Sequence, residues 1–222
     1  MSQSDNYQLL IFDWDGTLQD SVGSIVACTQ AAMEEVGEAR PAAAAIRDSI
    51  GLGLREMFDR FAPGYTEEIY DGVKKAYRRL WFEDYRYRNQ TFPGVREVLQ
   101  ELQEAGYILG VATAKSRQGL DQDLLSTGLG GFFAATRTAD ESRSKPDPQM
   151  VLDILDELGV EAENALVIGD TSHDLWMAHN AGADAAAVLT GSHDRDELSL
   201  ASPLAYFEDL RELPPWLAEG AG

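Results

Sequence analysis

Tyr7-Gln8-Leu9-Leu10-Ile11-Phe12-Asp13-Trp14-Asp15-Gly16-Thr17-Leu18 runs from an apolar stretch straight into two carboxylates and a glycine. A short apolar run such as Tyr7 to Phe12 suits a strand buried on both faces, as in parallel sheets. Similar runs recur at Tyr107-Ile108-Leu109-Gly110-Val111-Ala112, at Ala165-Leu166-Val167-Ile168 and at Ala185-Ala186-Ala187-Val188-Leu189. Phe132-Phe133-Ala134-Ala135 is a weaker candidate. Between them lie helix-length segments, Val95 to Ala105 before Gly106 and Arg117 to Thr127 before Gly128. Each glycine stands where a helix C-terminus is capped. Strands alternating with helices predict an α/β fold, a doubly wound parallel sheet covered on both faces.

One stretch breaks that rhythm. From about Ser21 to Asn89 only helical periodicity reads: Ile69, Val73, Tyr77, Leu80 and Trp81 keep three- and four-residue spacing. Thr66 is an expected N-cap, with Glu67 and Glu68 in the first turn, and Pro41 to Ile46 opens another helix. The turn-rich Thr91-Phe92-Pro93-Gly94 closes the block. The expected organisation is a catalytic α/β core of residues 1–20 and 91–222, with residues 21–90 an inserted α-helical cap hinged at two connections. Cys28, on the first helix of that block, is expected in its packed interior.

Of 222 residues, 18 are basic and 38 acidic, a formal net charge of −20. Such a surface repels nucleic-acid phosphates and anionic lipid, so neither nucleic acid nor membrane is an expected partner. A phosphate site in this chain therefore needs local positive charge, from a metal or a placed lysine. The 44% hydrophobic and 25% charged fractions fit a folded globular chain. A single cysteine excludes a disulfide framework and a thiolate zinc site. Met1 to Asn6 lacks a basic and an apolar leader region, and no apolar run approaches the roughly 18 residues of a membrane span. A cytoplasmic protein is the expectation.

Asp13 and Asp15 fall beyond the carboxyl end of the first strand, where doubly wound sheets bind ligands. Two residues apart in an extended segment, they project to one side, and Gly16 lets the chain turn away. Taken alone, the same stretch also reads as a turn. Thr113 ends a strand before Ala114-Lys115-Ser116 leads into a helix, a place for an anion with Ser116 as cap. Lys145, in Ser144-Lys145-Pro146-Asp147-Pro148, is flanked by prolines that suit a lysine held in place. Asp170 follows the strand Ala165 to Ile168, and Asp174 comes four residues later, as a further carboxylate or a helix cap. Paired carboxylates without thiolates or a histidine cluster suit a hard cation such as Mg²⁺. His173 sits beside the acidic pair, whereas His179 and His193 lack ligand spacing and are expected at the surface. Lys74, Lys75, Arg78, Arg79, Arg86 and Arg88 read as a solvated helix face, with Asp71 able to pair with Lys75. Arg47 and the turn Gly51-Leu52-Gly53-Leu54-Arg55 are the expected substrate-selecting residues of the inserted block.

The set Asp13-x-Asp15-Gly16-Thr17-Leu18-x-Asp20-Ser21, Phe92-Pro93-Gly94-Val95, Thr113, Lys145-Pro146-Asp147-Pro148, Gly169-Asp170-Thr171 and Met177-Ala178-x-Asn180-Ala181-Gly182 resembles the haloacid dehalogenase superfamily. Within it, the helical block after the first motif is similar to the phosphoglycolate-phosphatase-like branch. The resemblance implies that Asp13 attacks phosphorus and that Asp15 serves as acid and then base. It implies Mg²⁺ held by Asp13, the Asp15 carbonyl and Asp170, with Asp174 a ligand through water or an orienter. Thr113, the Ala114 step and Lys145 would bind the phosphoryl group. The superfamily's dehalogenases lack a carboxylate at the Asp15 position, so its presence argues for phosphoryl transfer. Ala114 stands where close phosphoglycolate phosphatases often carry Asn, which leaves the substrate open among phosphoglycolate-like compounds, sugar phosphates, nucleoside monophosphates and pyrophosphate. A small phosphorylated metabolite is the expected partner, and a monomer or weak homodimer the expected state. A β-phosphoglucomutase-like mutase and a non-catalytic binding protein of the same fold are the alternatives.

Overall fold

Leu9–Phe12 forms strand β1, and all four side chains are buried, Leu10 and Phe12 against one face of the sheet and Leu9 and Ile11 against the other. Burial of each such side chain contributes about 1.5–3 kcal/mol, which explains why a four-residue strand can anchor a fold. The computed structural model describes residues 7–219; the polar segment 1–6, read above for a leader, lies outside the described residues.

After β1 come the short strand β2 (Gln19–Asp20) and helices α1 (Val22–Glu35), α2 (Ala43–Arg47), α3 (Leu54–Phe61) and α4 (Glu67–Glu83). Strand β3 (Gln90–Thr91) then pairs antiparallel with β2, so the helical block leaves and re-enters through one two-stranded ribbon. The chain continues through α5 (Val95–Glu104), β4 (Ile108–Thr113), α6 (Arg117–Thr127), β5 (Ala135–Thr138) and α7 (Gln149–Leu158). It ends with β6 (Ala165–Gly169), α8 (Ser172–Ala181), β7 (Asp184–Val188), α9 (Arg195–Ser199), β8 (Tyr206–Phe207) and α10 (Leu213–Glu219).

Six strands form one parallel sheet in the order β5-β4-β1-β6-β7-β8. The chain winds outward from β1 through β4 to β5, then returns to β6 on the other side. Between β1 and β6 the winding reverses, leaving a crevice beyond the strands' carboxyl ends. Helices α5 and α10 pack one face with Val98, Leu99, Leu102, Leu213 and Leu217, while α7 and α8 cover the other with Met150, Ile154, Leu175 and Met177.

The helical block has apolar clusters of its own. Met33, Phe58, Tyr70 and Val73 form one, and Ile25, Cys28, Ile46, Ile50 and Trp81 another. Cys28 is buried there. The Thr66 hydroxyl accepts a hydrogen bond from the Ile69 amide at the start of α4.

Two sequence expectations change, and three short strands join those expected. Phe132 and Phe133 precede the strand instead of opening it: Gly130–Phe132 is a 3-10 turn, both rings pack on the apolar cluster, and β5 begins at Ala135. The strands β2, β3 and β8 span two residues each, too short to leave a periodic signal. The pairs that form on α4 and beyond it join Arg79 to Glu35 and Glu83, and Arg88 to Asp84, instead of Asp71 to Lys75. Among the described residues, no helix is long and apolar enough to cross a membrane.

Candidate active site

The carboxyl ends of three neighbouring strands bring the expected residues together. β1 delivers Asp13, β4 delivers Thr113, and β6 delivers Asp170, with Asp174 following in the first turn of α8. Carboxylate oxygens of Asp13, Asp170 and Asp174 lie within 4.8 Å of one another, and all three residues are buried. Lys145 arrives from the loop after β5, only 1% exposed. Its ammonium donates to Asp13 Oδ1 and to Asp174 Oδ1, each at 2.6 Å.

Neighbours hold the remaining oxygens. Thr17 Oγ1 donates to Asp170 Oδ1 at 3.0 Å and the Ser192 amide donates to Oδ2 at 2.8 Å. Asp174 Oδ2 accepts from the Thr171 amide at 3.0 Å and the Thr171 hydroxyl at 2.7 Å, closing a capping box on α8. Asp174 is thus both helix cap and member of the acidic cluster, the two readings its sequence position left open. Gly16 has φ of +86°, and a Cβ there would collide with the Asp170 carboxylate, so only glycine fits.

One ammonium stands among three buried carboxylates, and the electrostatics reflect that excess of negative charge. Burial, reinforced by Asp174 and opposed by Lys145, pushes Asp13 up to about 7. Burial and the charges of Asp13 and Asp174 push Asp170 well above the usual carboxylate range. Burial by itself would depress Lys145, but Asp13 and Asp174 outweigh it and raise it. An all-oxygen set short of positive charge fits a hard divalent cation.

Asp15 lines the same cavity as Asp13 but has different partners. The Ser21 hydroxyl donates to its Oδ1 at 2.6 Å, and Lys115 Nζ lies 2.8 Å and 3.1 Å from its two oxygens. Thr113 is fully buried, and its Oγ1 accepts from the Lys115 amide at 3.3 Å. Thr113 and Ala114 both line the cavity, and Ser116 caps α6 by accepting from the Gly119 amide.

The cavity holds about 490 Å³ and lies between the sheet's carboxyl ends and the helical block. The turn Gly51 to Arg55 lines it, and a Cβ on Gly51 would lie 2.7 Å from Thr171 Oγ1, so this backbone packs directly on the core. The Gly53 amide donates to Ser144 Oγ at 2.7 Å. Arg55 lines the cavity, yet its guanidinium is engaged by Glu67 and Asp59 and lies 4.5 Å from the Tyr70 ring centroid. Arg47 is not brought in: it is exposed at the end of α2, whose inward position is taken by Ile46. Lys74 and Arg78, read as part of a solvated face, are exposed yet also line the cavity rim.

The histidines also depart from expectation. His173 is buried, and burial pushes it down to about 4, which makes it a neutral imidazole at neutral pH. His193, expected at the surface, is buried; its Nδ1 accepts from the Ser172 amide at 3.1 Å. His179 is half-buried with Nε2 2.7 Å from the Ala201 carbonyl. Spacing along the chain carried no sign of these contacts, which join α8 to segments some twenty residues later. Thr17, Ser21, Lys115 and Asp123 are the polar residues of the site that sequence reading gave no role.

A family model described as haloacid dehalogenase-like hydrolase matches residues 10–188. The chain is 34% identical over 209 residues to a protein of Dickeya dadantii named "Probable phosphatase IndB", covering 92% of this chain and 91% of the other. It is 31% identical over 205 residues to the pyrophosphatase PpaX of Bacillus velezensis, with 92% and 93% covered. A phosphoglycolate phosphatase of Pseudomonas putida is 27% identical over 220 residues, with 96% and 81% covered. Among solved structures, a hydrolase from Pseudomonas syringae superposes with a TM-score of 0.85 at 28% identity, over 96% of this chain and 98% of that one.

Proposed function

The chain belongs to the haloacid dehalogenase-like hydrolases, and on that premise we propose that it hydrolyses a small phosphomonoester with Mg²⁺ through an aspartyl-phosphate on Asp13. The observation that carries this reading is the buried cluster of Asp13, Lys145, Asp170 and Asp174, with Asp13 and Asp15 both lining the cavity.

Asp13 is the nucleophile: a carboxylate oxygen forms a bond to phosphorus as the bond to the leaving alcohol breaks. Asp15 gives the departing oxygen its proton, and later takes one from the water that cleaves the acyl phosphate. Lys145 holds Asp13 in place and offers positive charge to the phosphoryl oxygens, and Thr113 with the Ala114 amide completes their cradle. Asp13, the Asp15 carbonyl, Asp170 and Asp174 are the groups that would hold Mg²⁺, which when bound neutralises charge on the transferring phosphoryl group. The helical block of residues 21–90 acts as a cap that excludes water and selects the alcohol, with Arg55 at its inner turn.

Phosphoglycolate leads the substrates, since relatives carry that name, and pyrophosphate follows on the same ground. The test is phosphate release from a panel of phosphomonoesters, with Mg²⁺ and with chelator, beside Asp13→Asn. The expected result is Mg²⁺-dependent release that falls at least about 10⁴-fold in the variant. Release that survives Asp13→Asn would overturn the assigned nucleophile, and sugar-phosphate isomers formed without phosphate release would indicate a mutase.

A further inference from the structure

Lys115 and Asp123 are the second set of buried charges beside the cavity, and the chemistry above gives them no task. Lys115 Nζ contacts both oxygens of Asp15 at 2.8 and 3.1 Å and Asp123 Oδ2 at 3.1 Å. The side chains of Lys115 and Asp123 are 6% and 4% exposed. Trp81 of α4 closes the group from the helical block, its ring centroid 4.8 Å from the ammonium. Asp123 sits on the inward face of α6 beside Leu120, and both are buried. A buried ion pair is commonly no more stabilising than apolar residues of similar volume, so packing alone gives no reason for this one.

The shape of the contact does give a reason. Asp15 is fixed from two sides, by Ser21 on Oδ1 and by Lys115 on both oxygens. Lys115 is in turn fixed by Asp123, so the carboxyl group cannot swing about its χ angles away from the cavity. Proton transfer demands such placement, because the acid must lie within hydrogen-bond reach of the departing oxygen.

We propose that Lys115, braced by Asp123, is a positioning residue that holds Asp15 for proton transfer to the leaving alcohol. This rests on the hydrolase reading above. As the phosphorus–alcohol bond breaks, the electron pair goes to the alcohol oxygen, which takes the Asp15 proton. Asp15, which carries that proton before the step, becomes the carboxylate whose oxygens Lys115 and Ser21 then hold. An ester whose leaving group departs readily as an anion needs little of this help, and an alkyl ester needs it fully.

The experiment compares kcat/KM, which reports aspartyl-phosphate formation, for p-nitrophenyl phosphate and for glycerol 2-phosphate. The latter has a poor leaving group and no second anion for a lysine to bind. Lys115→Met is expected to lower kcat/KM for glycerol 2-phosphate roughly 100-fold and for p-nitrophenyl phosphate no more than about 5-fold. Asp123→Asn, which keeps the ammonium, is expected to show the same preference at roughly 10-fold, and Lys115→Arg to recover part of the alkyl-ester rate. Equal losses on the two esters, or none, would overturn the brace. Should Lys115→Met fail to fold, Asp123→Asn and Lys115→Arg carry the comparison. Failure of the underlying reading looks different: the wild-type protein would then turn over neither ester in a manner lost with Asp13→Asn.

Discussion

The sheet's carboxyl edge and the inserted helices both carry ion pairs, but of opposite character. At the edge, Lys145 reaches Asp13 and Asp174 at 2.6 Å with all three side chains almost wholly out of solvent. In the inserted block, Arg55, Arg79 and Arg88 meet Asp59, Glu67, Glu35, Glu83 and Asp84 with roughly half of each side chain in water. Desolvation decides the difference: a buried charge depends on its partner, whereas an exposed one has water as a ready substitute. The buried pairs at the sheet's edge are therefore intolerant of change, and the exposed pairs of the block are not.

The largest expected effect comes from removing the central ammonium. Lys145→Met leaves buried carboxylates facing one another and should cost about 3–5 kcal/mol of stability, read as a lowered urea midpoint. A midpoint within error of wild type would break the contrast between the two regions.

Metal comes next. Mg²⁺ at about a hundred times its dissociation constant should add roughly 3 kcal/mol, seen as a rise in Tm that chelator reverses. Asp170→Asn, which removes one of the clustered carboxylates, should abolish that rise. A rise that persists undiminished would place the cation elsewhere.

Arg55→Ala tests the block. Arg55 lines the cavity with its guanidinium already paired to Glu67, so KM should rise several-fold while kcat and Tm stay near wild type. A collapse of kcat would move Arg55 into the chemistry and blur the division between regions.

The smallest effect concerns the block's own interior. Burial pushes the Cys28 thiol up to about 12, so at pH 8 it is almost wholly un-ionised as well as enclosed. Iodoacetamide should leave it unmodified in native protein and label it at once in urea. Rapid native labelling would mean that the helices open independently of the sheet.

Much of this molecule was legible along the chain. The runs at Leu9–Phe12, Ile108–Thr113 and Ala165–Gly169 are dense in apolar residues because both faces of a parallel strand are buried, and that density survives in one dimension. Thr113 ends one of those strands and Asp13 and Asp170 follow the other two directly, so locating the strands located them. Strand β5 begins three residues after Phe132, because Phe132 and Phe133 are apolar for packing beside the sheet, a role that looks like a strand when only composition is visible. His193 is buried with no local sign of it, because its partner, the Ser172 amide, is supplied by a different element.

The sequence by itself determined the order of the longer buried strands and the helices between them, the inserted helical stretch, and Asp13, Thr113 and Asp170 at or just beyond strand ends, all properties of neighbours along the chain. Only the tertiary structure decided which lysine meets which carboxylate. Lys145 serves Asp13 from 132 positions away, and Lys115 serves Asp15 from 100 positions away. No local pattern encodes such pairings, because they follow from how β1, β4 and β6 lie side by side and from which loop the strand order carries over the crevice.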